Sequence, residues 1–400
     1  MKQTIRGRAS AALVTAALCA GGAVHAEEIK LGILFGFTGP LESITPAMAA
    51  SAELAIAEVN ASGALLGGAQ VTGVRADSTC GDSAAATAAA TRLVNAEHVN
   101  AIVGADCSGA SGAVLQAVAR PNGIVMISPS ATSPALSTSE DGGLFFRTAP
   151  SDARQGEILA NTLVKAGLMS AAVSYSNSDY GKGLDEAFEP AYKAAGGKIT
   201  ISASHEDGKA DYSADIGALA AAGGDILVVI GYVDQGGKGI IQAASDADAF
   251  GKFLLSDGMY GDSLIKAIGA PLEGSIGVVP GTDGAGSAKF VDLATAAGVD
   301  GKGSYTGESY DAAALMMLAM QAAKSSNSAD FVGKVLDVAN GPGEEILPGE
   351  LAKGLSLLAE GKPINYEGAT GVTLIGPGEA DGSYRIYSIQ NGTQVTSYFE

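Results

Sequence analysis

The 400-residue chain has no tryptophan, three cysteines and three histidines, and its 24 lysines and arginines face 43 acidic residues. Each shortage excludes something. Histidine is too sparse for a metal cluster, since His98 and His205 stand alone and His25 lies in the extreme N-terminal segment; no metal and no cofactor are expected. The shortage of base gives a formal net charge of −19. Such a surface repels nucleic acid and anionic membranes, and it solvates the protein without naming a ligand. After the N-terminus no run reaches the ~20 apolar residues that a membrane helix needs. Pro/Ser linkers and low-complexity tails are lacking too.

The N-terminus, "MKQTIRGRASAALVTAALCAGGAVHAEEIK", puts Lys2, Arg6 and Arg8 before an apolar stretch from Ala11 to Ala20. Val24 and Ala26 follow at the positions a signal peptidase reads, so residues 1–26 are expected to be a cleaved signal peptide and the product a periplasmic protein. Cys19 invites lipid attachment, but Leu18 before it fits a lipoprotein cleavage site poorly. Processing removes three of the 24 basic residues and none of the 43 acidic ones, taking the net charge from −19 to −22. It leaves Cys80 and Cys107, which in an oxidising compartment most simply form one disulfide. Two free buried thiols are the alternative.

The 374 residues that remain of 400 exceed one ordinary core and suggest two domains. Strands are expected at 29–36, 71–77, 101–104, 124–128, 171–176, 198–203, 225–230, 252–255 and 276–279. Helices are expected at 46–60, 83–96, 112–119, 152–166, 181–195, 211–222 and 236–246. In the first helix Thr45 is read as the cap, Pro46 as the first-turn residue and Gly63 as the stop. Alternation of this kind builds parallel sheets covered by helices on both faces. Two such arrays meet near "FFRTAP", residues 145–150.

Parallel sheets bind ligands at the carboxyl ends of their strands. The loops there are "GFTGPLESITP", "ADCSGAS" and "PSATSP" in the first array, and "NSDYGKG", "GYVDQGG" and "SDGMYGD" in the second. The first set offers hydroxyls, Ser108 and Thr132, beside backbone N–H groups near Gly109 and Ala131, which together suit a carboxylate. The second offers Tyr180, Tyr232 and Asp257. Asp257 suits an ammonium, with a tyrosine hydroxyl or the Ser130 carbonyl as a further acceptor. The pattern describes a cleft for a small zwitterion between two domains. Equally, Ser and Thr at such places cap helices, and Tyr180 and Asp257 taken singly are ordinary loop residues.

The stretches "GILFGFTGP", "ADSTC…GADCS", "MISPSATSPALS", "FFRTAPSD", "NSDYGKGL" and "ESYDAA", in that order, resemble the periplasmic solute-binding proteins for branched-chain amino acids and related ligands. The resemblance runs over essentially the whole mature chain. It implies an α/β fold of two doubly wound, Rossmann-like lobes (a type I periplasmic binding protein, or Venus flytrap) with three hinge crossovers. Lobe 1 would be 27–147 plus 278–366, and lobe 2 148–277 plus 367–400. It implies the Cys80–Cys107 bond, and a ligand contacted by Ser108, Gly109, Ser130, Ala131, Thr132, Tyr180, Tyr232 and Asp257, with Tyr305 closing one wall. The partners it implies are a small carboxylate-bearing ligand and the permease of an ABC transporter, with the protein a monomer. Asp257 stands where these proteins often carry glutamate, and Ile44 replaces a common aromatic, so the ligand's side chain is left open.

Other classes fit less well. "GASGA" at 109–113 lacks the last glycine of a nucleophile elbow and has no histidine base. The glycine spacing of "GILFGFTG" is wrong for a dinucleotide site. No enzyme is expected. A sensor that reports to a chemoreceptor would share every one of these residues. A permease-linked protein for an amide, a urea-like compound or an aromatic acid would share the fold.

Overall fold

The computed structural model describes residues 28–376 and 378–400. The signal-peptide reading of residues 1–26, Cys19 included, lies outside them. Five parallel strands form the first sheet: β1 (Glu28–Phe35), β2 (Gln70–Asp77), β3 (Ala101–Gly104), β4 (Val125–Ser128) and β5 (Phe145–Arg147), in the order β2-β1-β3-β4-β5. The second sheet repeats that order with β6 (Ser170–Ser176), β7 (Lys198–His205), β8 (Ile226–Ile230), β9 (Phe253–Leu255) and β10 (Ile276–Pro280), which run β7-β6-β8-β9-β10. The nine expected strands are all present, within two residues at either end. Their interiors are continuous apolar runs because helices cover both faces: β3, β4, β8 and β9 are buried at every residue.

The rest of the chain was less legible. Two short pairings follow, β11 (Glu344–Ile346) with β12 (Ile364–Tyr366), and β13 (Thr373–Ile375) with β14 (Glu379–Asp381). Then β15 (Tyr384–Gln390) joins β10 antiparallel and carries the edge strand β16 (Thr393–Phe399), extending the second sheet to seven. The helix Thr306–Ala323 packs on the first sheet's side, where the Gln321 side chain accepts from Leu66 N–H at 2.7 Å and Ser328 Oγ from Val125 N–H at 3.0 Å. The chain therefore passes from one lobe to the other three times: after β5, after β10 and before β15.

Two helix starts differ from expectation. Thr45 does not cap its helix, because its hydroxyl donates to the Gly36 carbonyl at 2.8 Å and the helix runs Thr45–Ser62 behind Ile44. The helix expected from residue 112 begins at Ser108, directly after Cys107, and widens into a π-turn at 115–119. Ser111 secures that early start by donating to the Ala105 carbonyl at 2.9 Å.

Loops at the carboxyl ends of β1, β2 and β3 are tied together. Cys80 and Cys107 are bonded, with Cα atoms 5.2 Å apart and a sequence separation of 27. Asp106, between β3 and the helix, accepts from Gly36 N–H at 2.9 Å and from the Ser78 hydroxyl at 2.7 Å. Gly104 permits the approach: its φ is +131°, and a Cβ there would sit 2.4 Å from the Leu34 carbonyl oxygen.

The bond predicts an unreduced intact mass lower by two hydrogens than the reduced one. Replacing both cysteines by serine should cost about 3.5 kcal/mol in urea unfolding, the value for a loop of this length. Two alkylatable thiols in native, freshly purified protein would contradict the pairing.

Candidate functional site

In each sheet the chain winds outward in opposite directions from the central strands, leaving a crevice at their carboxyl ends. The first crevice lies between β1 and β3, the second between β6 and β8, and they face each other. Loops from both line one small cavity of about 20 Å³. Leu41 and Ile44 come from the loop after β1, Asp106, Cys107 and Ser108 follow β3, and Ser130 follows β4. From the other side come Tyr180 after β6, Tyr232 after β8, and Asp257 with Gly258 after β9, while Tyr305 enters from the returning segment.

Six of the nine expected contact residues thus meet: Ser108, Ser130, Tyr180, Tyr232, Asp257 and Tyr305. Gly109 stands aside, its Cβ position 3.4 Å from Asp179 of the opposite lobe. Ala131 has both backbone groups engaged, its N–H by Ser128 Oγ at 3.0 Å and its carbonyl by Arg147 at 3.2 Å. Thr132 is fully buried behind the cavity wall, with no hydrogen-bond partner for its hydroxyl.

On the first-lobe side Ser108 Oγ accepts from Ser133 N–H at 3.1 Å, so its own proton is free to donate into the cavity. Ser130 donates to the Asp106 carbonyl at 2.9 Å, which turns its hydroxyl back into the protein.

The second-lobe side is built around Asp257, which is 2% exposed. Its Oδ1 accepts from the Tyr180 phenol at 2.5 Å and its Oδ2 from the Tyr305 phenol. Burial raises its proton affinity, and those two phenols pull it back. Tyr180 is set by its helix, which starts at Asp179 with Ser178 accepting from Gly181 N–H at 3.1 Å. Only glycine fits at 181, since a Cβ would lie 2.1 Å from the Ser176 carbonyl oxygen. Tyr232 packs on Tyr180 with ring centroids 5.3 Å apart. Tyr305 reaches Asp257 from a left-handed backbone, φ 57°, that a bulky side chain rarely adopts. The cavity lining holds two acids, Asp106 and Asp257, and no basic side chain.

Several contributors escaped the sequence reading. Arg147, 1% exposed, holds the loop after β4 through the carbonyls of Ala131 and Ser133, at 3.2 and 3.0 Å, and pairs with Glu379 at 3.0 Å. Its place in "FFRTAP" marked a junction, not a clamp. Asp234 crosses the cleft mouth: its carboxylate accepts from Ser43 N–H at 2.8 Å, and its own N–H donates to the Pro40 carbonyl at 3.1 Å. Asp152 and Gln155, both fully buried, stand behind Asp257. The only sequence signal for them was the polar end of "RTAPSD", which reads as a helix cap.

Two lobes closed over a small polar cavity, with the groups supplied by loops of both, define a solute-binding protein. The sequence profile described as "Periplasmic binding protein" matches residues 28–341, and the chain belongs to that family. It is 28% identical over 256 residues to the leucine-, isoleucine-, valine-, threonine- and alanine-binding protein of Pseudomonas aeruginosa, covering 64% of this chain and 67% of that one. Its fold is that of the branched-chain amino acid transporter substrate-binding protein LivJ of Streptococcus pneumoniae in complex with isoleucine (TM-score 0.77, 24% identity, 94% and 99% of the two chains). A solute-binding protein from R. palustris in complex with 4-hydroxybenzoate is also similar (TM-score 0.74, 18% identity, 94% and 96%).

Glu308, near the start of the helix that follows Tyr305, offers a test of how dry this region is. It is 5% exposed, and burial pushes its carboxyl up to about 8. A raised carboxyl stabilises the fold below its unfolded value and loses that contribution as pH rises through the folded one. Urea stability should therefore fall between about pH 4.5 and 8. Glu308→Gln should flatten that slope. An unchanged slope would place Glu308 in contact with water.

Proposed function

We propose that the cleft captures a small zwitterion, an amino acid, in the periplasm and delivers it to an ABC-transporter permease. The observation that carries this reading is the pairing of the free Ser108 proton with the buried Asp257 carboxylate across one cavity that has no basic side chain. A carboxylate removed from water must regain hydrogen bonds, and hydroxyls supply them without a cation. Ser108, on the cavity wall, takes that role, while Gly109, Ala131 and Thr132, expected to share it, stand outside the lining. Asp257 holds the ammonium with the Ser130 carbonyl. Tyr180, Tyr232 and Tyr305, with Ile44 and Leu41, surround the side chain. The printed names of the P. aeruginosa relative and the S. pneumoniae neighbour support amino acids as the class. The R. palustris neighbour keeps an aromatic acid as the second reading, which leaves Asp257 without a partner.

The lobes, 27–147 with 278–366 and 148–277 with 367–400, move as units about the three crossovers. The second crossover falls just after Pro280, since β10 belongs to the second sheet. A ligand that touches both lobes favours the closed arrangement, in which Ser43 and Asp234 meet. The exported protein is a monomer cleaved after Ala26 that performs no chemistry on its ligand. A strain lacking the neighbouring permease should fail to grow on the ligand as sole nitrogen source; undiminished growth would favour a sensor.

Calorimetry with the twenty standard amino acids should find at least one that binds. Ser108→Ala should weaken it by about 1.5–3 kcal/mol, and the ligand's carboxamide should bind much more weakly than the acid. Equal affinity for acid and amide would make the Ser108 hydroxyl structural.

Asp257→Asn should cost several kcal/mol of affinity, since a buried ammonium then has no charged partner. Tyr305→Phe should cost less. Unchanged affinity in Asp257→Asn would move the ammonium elsewhere.

A further inference from the structure

Ser43, Asp234 and Ser263 meet at the mouth of the cleft, and none of them lines the ligand cavity. Three hydrogen bonds cross there from lobe to lobe. Ser43 N–H donates to Asp234 Oδ2 at 2.8 Å, and Asp234 N–H donates to the Pro40 carbonyl at 3.1 Å. The third joins the Ser43 and Ser263 hydroxyls, 3.0 Å apart. Ser263 gives its own proton to Asp234 Oδ1 at 3.1 Å, so Ser43 is the donor between the two. One carboxylate therefore uses an oxygen toward each lobe. The turn it grips is already fixed within the first lobe, where Ile44 N–H donates to the Leu41 carbonyl at 3.0 Å.

Apolar neighbours of these residues meet directly beneath them. Ile44 follows Ser43, Val233 precedes Asp234, and Gly261 lies two residues before Ser263. A Cβ at Gly261 would stand 3.2 Å from Val233 Cγ2 and 3.5 Å from Ile44 Cγ2. Ile44 and Val233 are both buried, although each belongs to a loop at the cleft mouth. Beyond them lies an outer pocket of about 640 Å³, lined in part by Ser43, Gly261 and Ser263. Ile44 is the one residue common to its lining and that of the ligand cavity. A polar network thus covers an apolar plug, and the plug separates the cavity from the outside.

We propose that Asp234 and Ser263 form a latch that fastens the Pro40–Ile44 turn, seats Ile44 over the cavity and sets how long a ligand stays. In an open cleft the crossing groups are apart and hydrated. Their bonds form after the ligand has been met and must break before it leaves, so they act on release more than on capture. A carboxylate bonded to a backbone N–H is among the stronger of such contacts. The latch touches the lobes and not the ligand. It slows the departure of every ligand by the same factor and takes no part in choosing among them. This role presupposes only a solute-binding cleft, whichever class of solute enters.

The test uses the full mature protein and whichever of the twenty standard amino acids, benzoate and 4-hydroxybenzoate calorimetry finds to bind. Release is followed by chasing labelled ligand with excess unlabelled ligand. Asp234→Ala should raise the dissociation rate about tenfold and change the association rate less than about twofold. Asp234→Asn keeps an acceptor for Ser43 N–H without the charge and should fall between. Ser263→Ala should raise dissociation about threefold. A purely structural role would lower thermal stability and leave the dissociation rate alone. An unchanged rate in folded Asp234→Ala overturns the latch, as does a factor that differs between ligands. Should Asp234→Ala fail to fold, Ser263→Ala decides, and an unchanged rate there overturns it equally. Binding of the aromatic acids alone would sink the amino-acid reading and leave this test in place. If none of these solutes binds, small-angle scattering of the ligand-free proteins decides: Asp234→Ala should have the larger radius of gyration, and equal radii overturn the latch.

Discussion

A buried carboxylate without a basic neighbour is the constraint around which this molecule is arranged. Asp257 lies at the meeting point of both lobes, and within the protein it is answered by uncharged donors, the Tyr180 and Tyr305 phenols foremost. Phenols donate hydrogen bonds but carry no positive charge, so they moderate the cost of burial without removing it. The remaining term has to come from outside the chain. In the proposed reading closure is conditional on what enters: a cavity closed around an unbalanced acid favours an occupant that brings a cation. The binding step and the selection step are then the same physical event.

Repetition of the β2-β1-β3-β4-β5 order is what lets loops from two halves converge on that acid. Each half solves the same local problem, holding several loops rigid at the carboxyl ends of its strands, with an aspartate. In the first lobe Asp106 joins the loops after β1, β2 and β3. In the second, Asp207 accepts from the Ser176 hydroxyl at 2.7 Å and from Gly236 N–H at 3.0 Å, joining the loops after β6, β7 and β8. The first lobe adds the Cys80–Cys107 bond, and the second uses close glycine packing at Gly181 instead. Rigid loops matter because a hydroxyl that wanders pays back in entropy much of what its hydrogen bond contributes.

What was legible in the sequence follows from burial. Strands such as β8, "ILVVI", are covered on both faces and read as short apolar runs between turns, so the nine central strands were plain. The C-terminal pair β15 and β16 went unread although "QNGT" carries the hairpin signal: Asn391 and Gly392 have φ of 51° and 69°, the left-handed pair of a tight turn. Their mixed polar sequence suits a sheet edge, where β16 is largely exposed, and resembles a loop until the turn is noticed. The helix Thr306–Ala323 is buried on nearly every side, so it lacks the periodic face by which the other helices were found. At the site, residues whose role depends on one loop were legible, as with Ser108 and Tyr180. Arg147, Asp152 and Asp234 act across elements far apart in the chain, and nothing within a local window reports that.

The strained backbone at Tyr305 shows how the segment returning after the second crossover enters the site. A tyrosine at φ 57° gives up about 1 kcal/mol or more, and it persists only where its surroundings hold it. Its phenol meets Asp257, and its carbonyl accepts from Ser309 Oγ at 2.7 Å, one turn into the helix that follows. On the same turn, Glu308 and Asp311 anchor that helix through Thr148 beside the first crossover and Thr370 beside the last. The acid at the centre of the cleft is thereby linked, through one helix start, to the segments on which the lobes turn.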